Sequence, residues 1–252
     1  MCGRYYVDDA VDRAIAQLED AAARRGSARA VGGAEFSRDN RPVGAAECSG
    51  DIRAVSAAIH GRSFAAAAGG LGNAQQPLPE TAQSRSGDVR PTELAPVLAA
   101  SGAGLAVCYM RWGYPGFRKG QTVFNARAES VLEKRMFVNG VRHHRVVIPC
   151  TFFYEWNRDK EKFEFYRQDA PVLYMAGFAD SFEDGPRYVI LTTAANDSMR
   201  MTHDRMPLIL EPDGIRDWIM DDRKTGAILG QVPVLLSRRS QYEQMTMNLQ
   251  EN

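Results

Sequence analysis

The sequence predicts an α+β fold, a single domain built on a curled antiparallel or mixed β-sheet, barrel-like, with flanking helices. Three observations carry this. Short runs of β-formers recur through residues 94–193. Helical periodicity is confined to a few stretches near the ends and in the middle of the chain. With 252 residues, 44% of them hydrophobic, there is apolar material for one large core.

Val11, Ala14, Ile15 and Leu18 recur at helical spacing, which predicts a first helix over Asp8–Arg25, capped by Asp8 or Asp9 and stopped by Gly26. Residues 26–87 are rich in Ala, Gly and Ser, with Phe36 and Phe64 as their sole aromatics. Such a stretch lacks the side chains for a core of its own and reads as a flexible insertion within a domain spanning 1–252. Leu94–Leu98 and Gly104–Met110 read as strands around a turn at 100–102, and Val123–Ala126 as a short apolar segment. Ala128–Asn139 is helical in pattern. Val146–Ile148 reads as a buried strand ending at Pro149, and strands follow at Phe163–Tyr166, Leu173–Phe178 and Tyr188–Thr193. Asp213–Met220 and Asp221–Leu229 close the chain as helices, Trp218 and Ile219 marking an apolar face.

Lys plus Arg equals Asp plus Glu at 31 each, so overall balance does not point to a polyanion. Locally it does: eight cations, from Arg111 to Arg145, stand against Glu129 and Glu133 alone, with Trp112, Tyr114, Phe117 and Phe124 interleaved. Phosphates want charge and unpaired bases want a π-face, so this pattern suits a single strand, although a solvated charged face has the same look. Cys2, Cys48, Cys108 and Cys150 form no C-x-x-C pair, so neither a zinc site nor a disulfide framework is indicated, and the last three read as small hydrophobes. With no long apolar run and no secretion signal, the expected setting is cytoplasmic, away from membranes.

The N-terminus carries distinctive chemistry. Removal of Met1 leaves Cys2 with an α-amine and a thiol on adjacent carbons. The amine can condense with an aldehyde to an imine, and the thiol can then close onto that imine as a five-membered thiazolidine. Three further stretches set polar groups among apolar ones: Phe124-Asn125-Ala126-Arg127-Ala128-Glu129, Phe152-Phe153-Tyr154-Glu155-Trp156 and Thr202-His203-Asp204-Arg205-Met206-Pro207. A Glu and a His can divide acid and base work. Taken singly, Glu155 could equally be a core ion-pair partner and His203 a structural histidine.

Cys-Gly-Arg at 2–4, Pro-Thr at 91–92, Arg-Trp-Gly at 111–113, Asn-Ala-Arg-Ala-Glu at 125–129, Pro-Cys-x-x-Phe-Tyr-Glu-Trp at 149–156 and His-Asp-Arg-Met-Pro at 203–207 occur in that order. This series resembles the SRAP family, the SOS response-associated peptidase-like proteins that shield abasic DNA. The resemblance implies that Cys2 is the nucleophile that crosslinks to an abasic site. It implies that Asn125 orients amine and sugar, and that Glu155 and His203 are the catalytic carboxylate and histidine. It further implies that Arg127 and Arg205 grip phosphates and that Gly3, Arg4, Pro91 and Trp112 shape the DNA path. Phe117 stands where family members often carry a Trp that wedges against a base, in a stretch one residue shorter here.

The function expected on this reading is a monomer that binds abasic single-stranded DNA and crosslinks to it in the SOS response. Autopeptidase and abasic-site lyase activities accompany it, and no metal or organic cofactor is implied. The alternatives are a cysteine peptidase acting on other proteins and a non-covalent single-strand binder in which Cys2 is inert.

Overall fold

The computed structural model describes residues 2–30, 86–102 and 104–240. Elements follow the chain as β1 (Tyr5–Val7), α1 (Asp9–Ala30), β2 (Gly87–Val89), β3 (Leu94–Ser101), β4 (Gly104–Trp112), β5 (Tyr114–Pro115), β6 (Thr122–Val123) and β7 (Asn125–Arg127). A 3₁₀ turn (Ala128–Glu133), α2 (Val138–His143), β8 (Arg145–Cys150), β9 (Phe152–Trp156), β10 (Lys162–Tyr166), β11 (Leu173–Phe182) and β12 (Gly185–Ala194) come next. The chain continues with β13 (Arg205–Pro207), β14 (Ile209–Leu210), α3 (Gly214–Met220), a 3₁₀ turn (Asp222–Lys224), α4 (Thr225–Leu229) and β15 (Ser237–Ser240).

The expected α+β barrel is what forms. β12, β4, β3, β8 and β11 are hydrogen-bonded in that order, and β11 pairs back onto β12, so five strands close a ring. The ring is mixed: β12 runs parallel to β4 and the other pairs are antiparallel. Closure needs Gly177 on β11, because a Cβ there would lie 2.5 Å from Ile148 Cδ1 and 2.6 Å from Val189 O. A second, antiparallel sheet, ordered β15-β10-β9-β1-β2, carries the N-terminal strand between β9 and β2. One apolar core joins both sheets, with Tyr5, Leu98, Trp112, Phe153, Phe165, Met175 and Tyr188 among its large buried members. No described helix is long and apolar enough to cross a membrane.

Four local expectations are corrected. Gly26 does not stop α1, which continues to Ala30: the Ala-rich sequence around it propagates helix, and one interior glycine costs only about 1 kcal/mol. Asp8 does cap it, its Oδ1 accepting from the Ala10 N–H at 2.9 Å. The insertion predicted at 26–87 thus begins inside α1 and ends in β2, while 31–85 lie outside the described residues. The helix predicted at 128–139 is broken, since Lys134 adopts an extended backbone (φ −91°, ψ 116°) between the 3₁₀ turn and α2. β8 runs through Pro149 to Cys150; β3 meets β8 only at Val147, so the missing proline N–H can face the edge of β8 that has no ladder partner there. The last predicted helix is likewise split into a 3₁₀ turn and α4.

Candidate active site

The site lies where the lead into β1 meets β7, β9 and the loop before β13. The Tyr154 N–H donates to Arg4 O at 2.9 Å, so the pairing of β1 with β9 extends toward the terminus. Cys2 is buried at 1% exposure, its Sγ 3.8 Å from that same carbonyl. Burial pushes the thiol well above its ordinary pKa, and the nearby Glu155 carboxylate adds to the rise. The thiol therefore keeps its proton at neutral pH.

Asn125 opens β7, opposite Ile190 of β12. Its Nδ2 donates to Cys2 O at 2.8 Å, which fixes the amide's orientation. Its Oδ1 then faces the other way, buried and with no hydrogen-bond partner among the described residues. A free acceptor beside the Cys2 main chain suits an incoming ammonium or hydroxyl.

Glu155 reaches the interior because β9 alternates: Phe153 and Glu155 share one face, Phe152, Tyr154 and Trp156 the other. At 4% exposure it is among the most buried charged side chains described. Its Oε1 is 3.9 Å from His203 Nε2. The His203 ring is oriented from behind, since its Nδ1 accepts the Arg205 backbone N–H at 2.9 Å. A backbone N–H can only donate, so this contact favours the neutral tautomer that carries its proton on Nε2, facing the carboxylate. Asp204 Oδ1 is also 2.9 Å from Nδ1 and becomes its partner once the ring holds a second proton.

Beside this cluster opens a cleft of about 470 Å³. Asn125 forms part of its wall, Phe117, Met136 and Phe137 give it apolar sides, and Arg127, Lys134 and Arg135 stand around it as exposed cations. Phe117, 90% exposed, projects from the tip of the β5–β6 hairpin.

The structure thus joins Cys2, Asn125, Glu155 and His203, and sets Arg127 and Phe117 at the adjoining cleft. Gly3 is half-buried between Cys2 and Arg4. Arg4 lies over the Tyr154 and Trp156 rings and pairs with Asp88 at 3.5 Å. Pro91 sits in the turn between β2 and β3, which is tied to Trp112 O through the Thr92 N–H. Trp112 is wholly buried, so its part in a DNA path can only be indirect: its ring packs on Tyr5 and its Nε1 donates to Phe124 O. Arg205 directs Nη1 and Nη2 to Glu129 and Nη2 also to Thr192 O, while its buried Nε has no hydrogen-bond partner among the described residues.

Two members of the cationic run leave it as well. Arg145 is buried, its donors taken up by carbonyls at the ends of α2 and α3 and by Asp222, and Arg111 donates to Thr92 O. Spacing along the chain cannot distinguish a helix-capping arginine from a solvated one.

Sequence reasoning passed over Tyr5 and Tyr188. Their hydroxyls meet at 2.5 Å behind Cys2, with Trp112 packed on both rings. The signal for Tyr5 was its place two residues before Val7 in an alternating strand; Tyr188 carried none.

Comparison with known proteins bears on family and fold. Residues 53–248 match the family model described as SOS response associated peptidase (SRAP). The abasic site processing protein YedK of Escherichia coli K12 is 33% identical over 119 residues, 44% of this chain and 54% of that protein. YoqW of Bacillus subtilis, also named an abasic site processing protein, is 31% identical over 161 residues, 58% of this chain and 72% of that one. The chain thus spans little more than half the length of the first of these relatives. Among solved structures, a Bacteroides thetaiotaomicron protein superposes with a TM-score of 0.55 at 21% identity, covering 64% of this chain and 80% of its own. A Bordetella bronchiseptica protein gives 0.53 at 24%, covering 61% and 86%. At those identities the superpositions speak for the fold.

Proposed function

The chain belongs to the SOS response associated peptidase (SRAP) family, and from that membership and the site geometry we propose that it processes abasic sites in single-stranded DNA. In this reading Met1 is removed and the Cys2 amine attacks the C1′ aldehyde of the ring-opened sugar. Water leaves as the imine forms. The Cys2 sulfur then adds to the imine carbon, its proton passes to the nitrogen, and the thiazolidine ring closes.

The observation that carries the proposal is the meeting of four groups from four separate segments, Cys2, Asn125, Glu155 and His203. Asn125 holds the Cys2 carbonyl and offers its free Oδ1 to the amine. Glu155 and His203, 3.9 Å apart, supply the proton donor and acceptor for opening the furanose and dehydrating the carbinolamine. The cleft and its cations suit the flanking strand, with Arg127 on its phosphates. Autoproteolytic exposure of Cys2 and β-elimination through the same imine belong to this reading, as do a monomeric state and a cytoplasmic, nucleoid-bound setting during the SOS response.

A peptidase acting on other proteins is the weaker reading, because a buried, protonated thiol offers no thiolate to a passing peptide. The test is a denaturing gel of the protein with single-stranded DNA holding one abasic site. A shifted band is expected with the wild type and none with Cys2→Ala, which should retain salt-sensitive binding. Equal bands for both proteins would refute the mechanism.

A further inference from the structure

The two arms of the site stand on opposite edges of β12. Along one edge β12 pairs with β7, Thr192 facing Arg127; along the other it pairs with β13, Ala194 facing Arg205. Asn125 belongs to the first arm and His203 leads into the second. One side chain crosses from arm to arm. Arg205 Nη1 donates to Glu129 Oε1 at 2.7 Å and Nη2 to Glu129 Oε2 at 2.8 Å, a two-point pair, and Nη2 also donates to Thr192 O at 2.6 Å. Thr192 Oγ1 in turn donates to Ala126 O at 3.3 Å.

Arg205 is also the residue whose backbone N–H holds His203 Nδ1. Its guanidinium and its main chain therefore act on different halves of one construction: the first is anchored to the 3₁₀ turn that follows Asn125 and Arg127, the second sets the imidazole tautomer. Two-point pairing restricts direction as well as distance, which a single contact does not. The pair also keeps a permanent cation, only 13% exposed at its side chain, from being buried without an anion.

We propose that Glu129 is a positioning residue for the reaction under "Proposed function". By clamping Arg205 across β12 it fixes the His203 ring relative to Asn125 and Cys2. The proposal rests on that reading for its consequence in rate, and on geometry alone for its consequence on the ring. In this account Arg205 is a brace, and phosphate contact falls to the exposed cations of the cleft.

The experiment has two arms on Glu129→Gln, with Arg205→Gln and the double variant beside it. The first arm requires no DNA: long-range proton–nitrogen spectra of the histidine side chains, His203 being assigned by His203→Gln. Wild type should show His203 as the Nε2–H tautomer, and folded Glu129→Gln should show it shifted or mixed. An unchanged His203 signal in folded Glu129→Gln overturns the proposal, whatever becomes of the crosslinking chemistry.

The second arm measures the saturating crosslinking rate on abasic single-stranded DNA, and affinity for the same strand with an unreactive tetrahydrofuran at the lesion. Because a misplacement of about 1 Å costs up to about 100-fold in rate, Glu129→Gln should slow crosslinking by about tenfold or more. Its affinity should stay within about twofold, since a brace is not a phosphate contact. The double variant should be no slower than Arg205→Gln alone, as expected for two residues acting as one unit. Tighter DNA binding by Glu129→Gln, with weaker binding by Arg205→Gln, would mean that Arg205 is a phosphate ligand held in check by Glu129, and would overturn the proposal. Absence of crosslinking by wild type would strike the proposed function and leave the spectral arm to decide the brace.

Discussion

Glu155 and Cys2 share a problem of solvation. Burial pushes the Cys2 thiol upward, and the nearby Glu155 carboxylate adds to the rise. With its pKa raised, the thiolate fraction at pH 8 is smaller than in an unfolded chain, where thiols titrate near 8.5. Native Cys2 should therefore react with iodoacetamide far more slowly than the same residue in urea, as peptide mass spectrometry would measure. Equal rates would mean an exposed or activated thiol. Glu155 has a different part: Glu155→Gln keeps the shape and removes the proton chemistry. Crosslinking should slow by about 100-fold, in the range of general acid–base contributions, with affinity for tetrahydrofuran-containing DNA little changed. Equal losses in both would make Glu155 a structural residue.

Among the elements, β1 and β12 do the most to build the site. Three residues of β1 deliver Cys2 to β9, and Tyr5 pins that strand to β12 through the Tyr188 hydroxyl. Tyr188→Phe leaves the Tyr5 hydroxyl buried without its partner, and should cost about 1–3 kcal/mol in urea unfolding. A loss confined to a few tenths would show that water replaces the lost hydroxyl. The strands of the barrel were legible because β11 and β12 each hold an unbroken buried run, at 173–179 and 188–192. β1, β2, β13, β14 and β15 were not, being only two to four residues long, so that their pairing partners define them. The break at Lys134 was hidden for a related reason: apolar spacing at 128–139 fits both a helix and the two short turns that pack Val131 and Val141 into the core. The residues that meet at the candidate site were singled out from motifs in order, because a proposed reaction constrains residue type at each point. The Glu129–Arg205 brace was not, because two charges 76 residues apart announce no contact.

Across the whole molecule, equal numbers of cations and carboxylates hide an uneven distribution. Many arginines are consumed internally: Arg145 by helix ends, Arg167 by Asp169 and Glu211, Arg187 by Asp184, Arg205 by Glu129. The exposed cations around the cleft, Arg127, Lys134 and Arg135, remain for a polyanion. Replacing all three with Gln should weaken single-strand binding and lower the slope of log affinity against log salt by about 2, at about 0.7 per phosphate contact. A slope equal to wild type would place the DNA on another face.

The central claim is that covalent capture passes through both groups of Cys2, and the most direct measurement is the mass of the adduct on the digested complex. The expected adduct is an N-terminal peptide that begins at Cys2, joined to the abasic nucleotide with the loss of one water and taking up no hydride from borohydride, since a closed thiazolidine has no imine to reduce. An adduct on a lysine, one that gains hydride, or one on a peptide still carrying Met1 would contradict it.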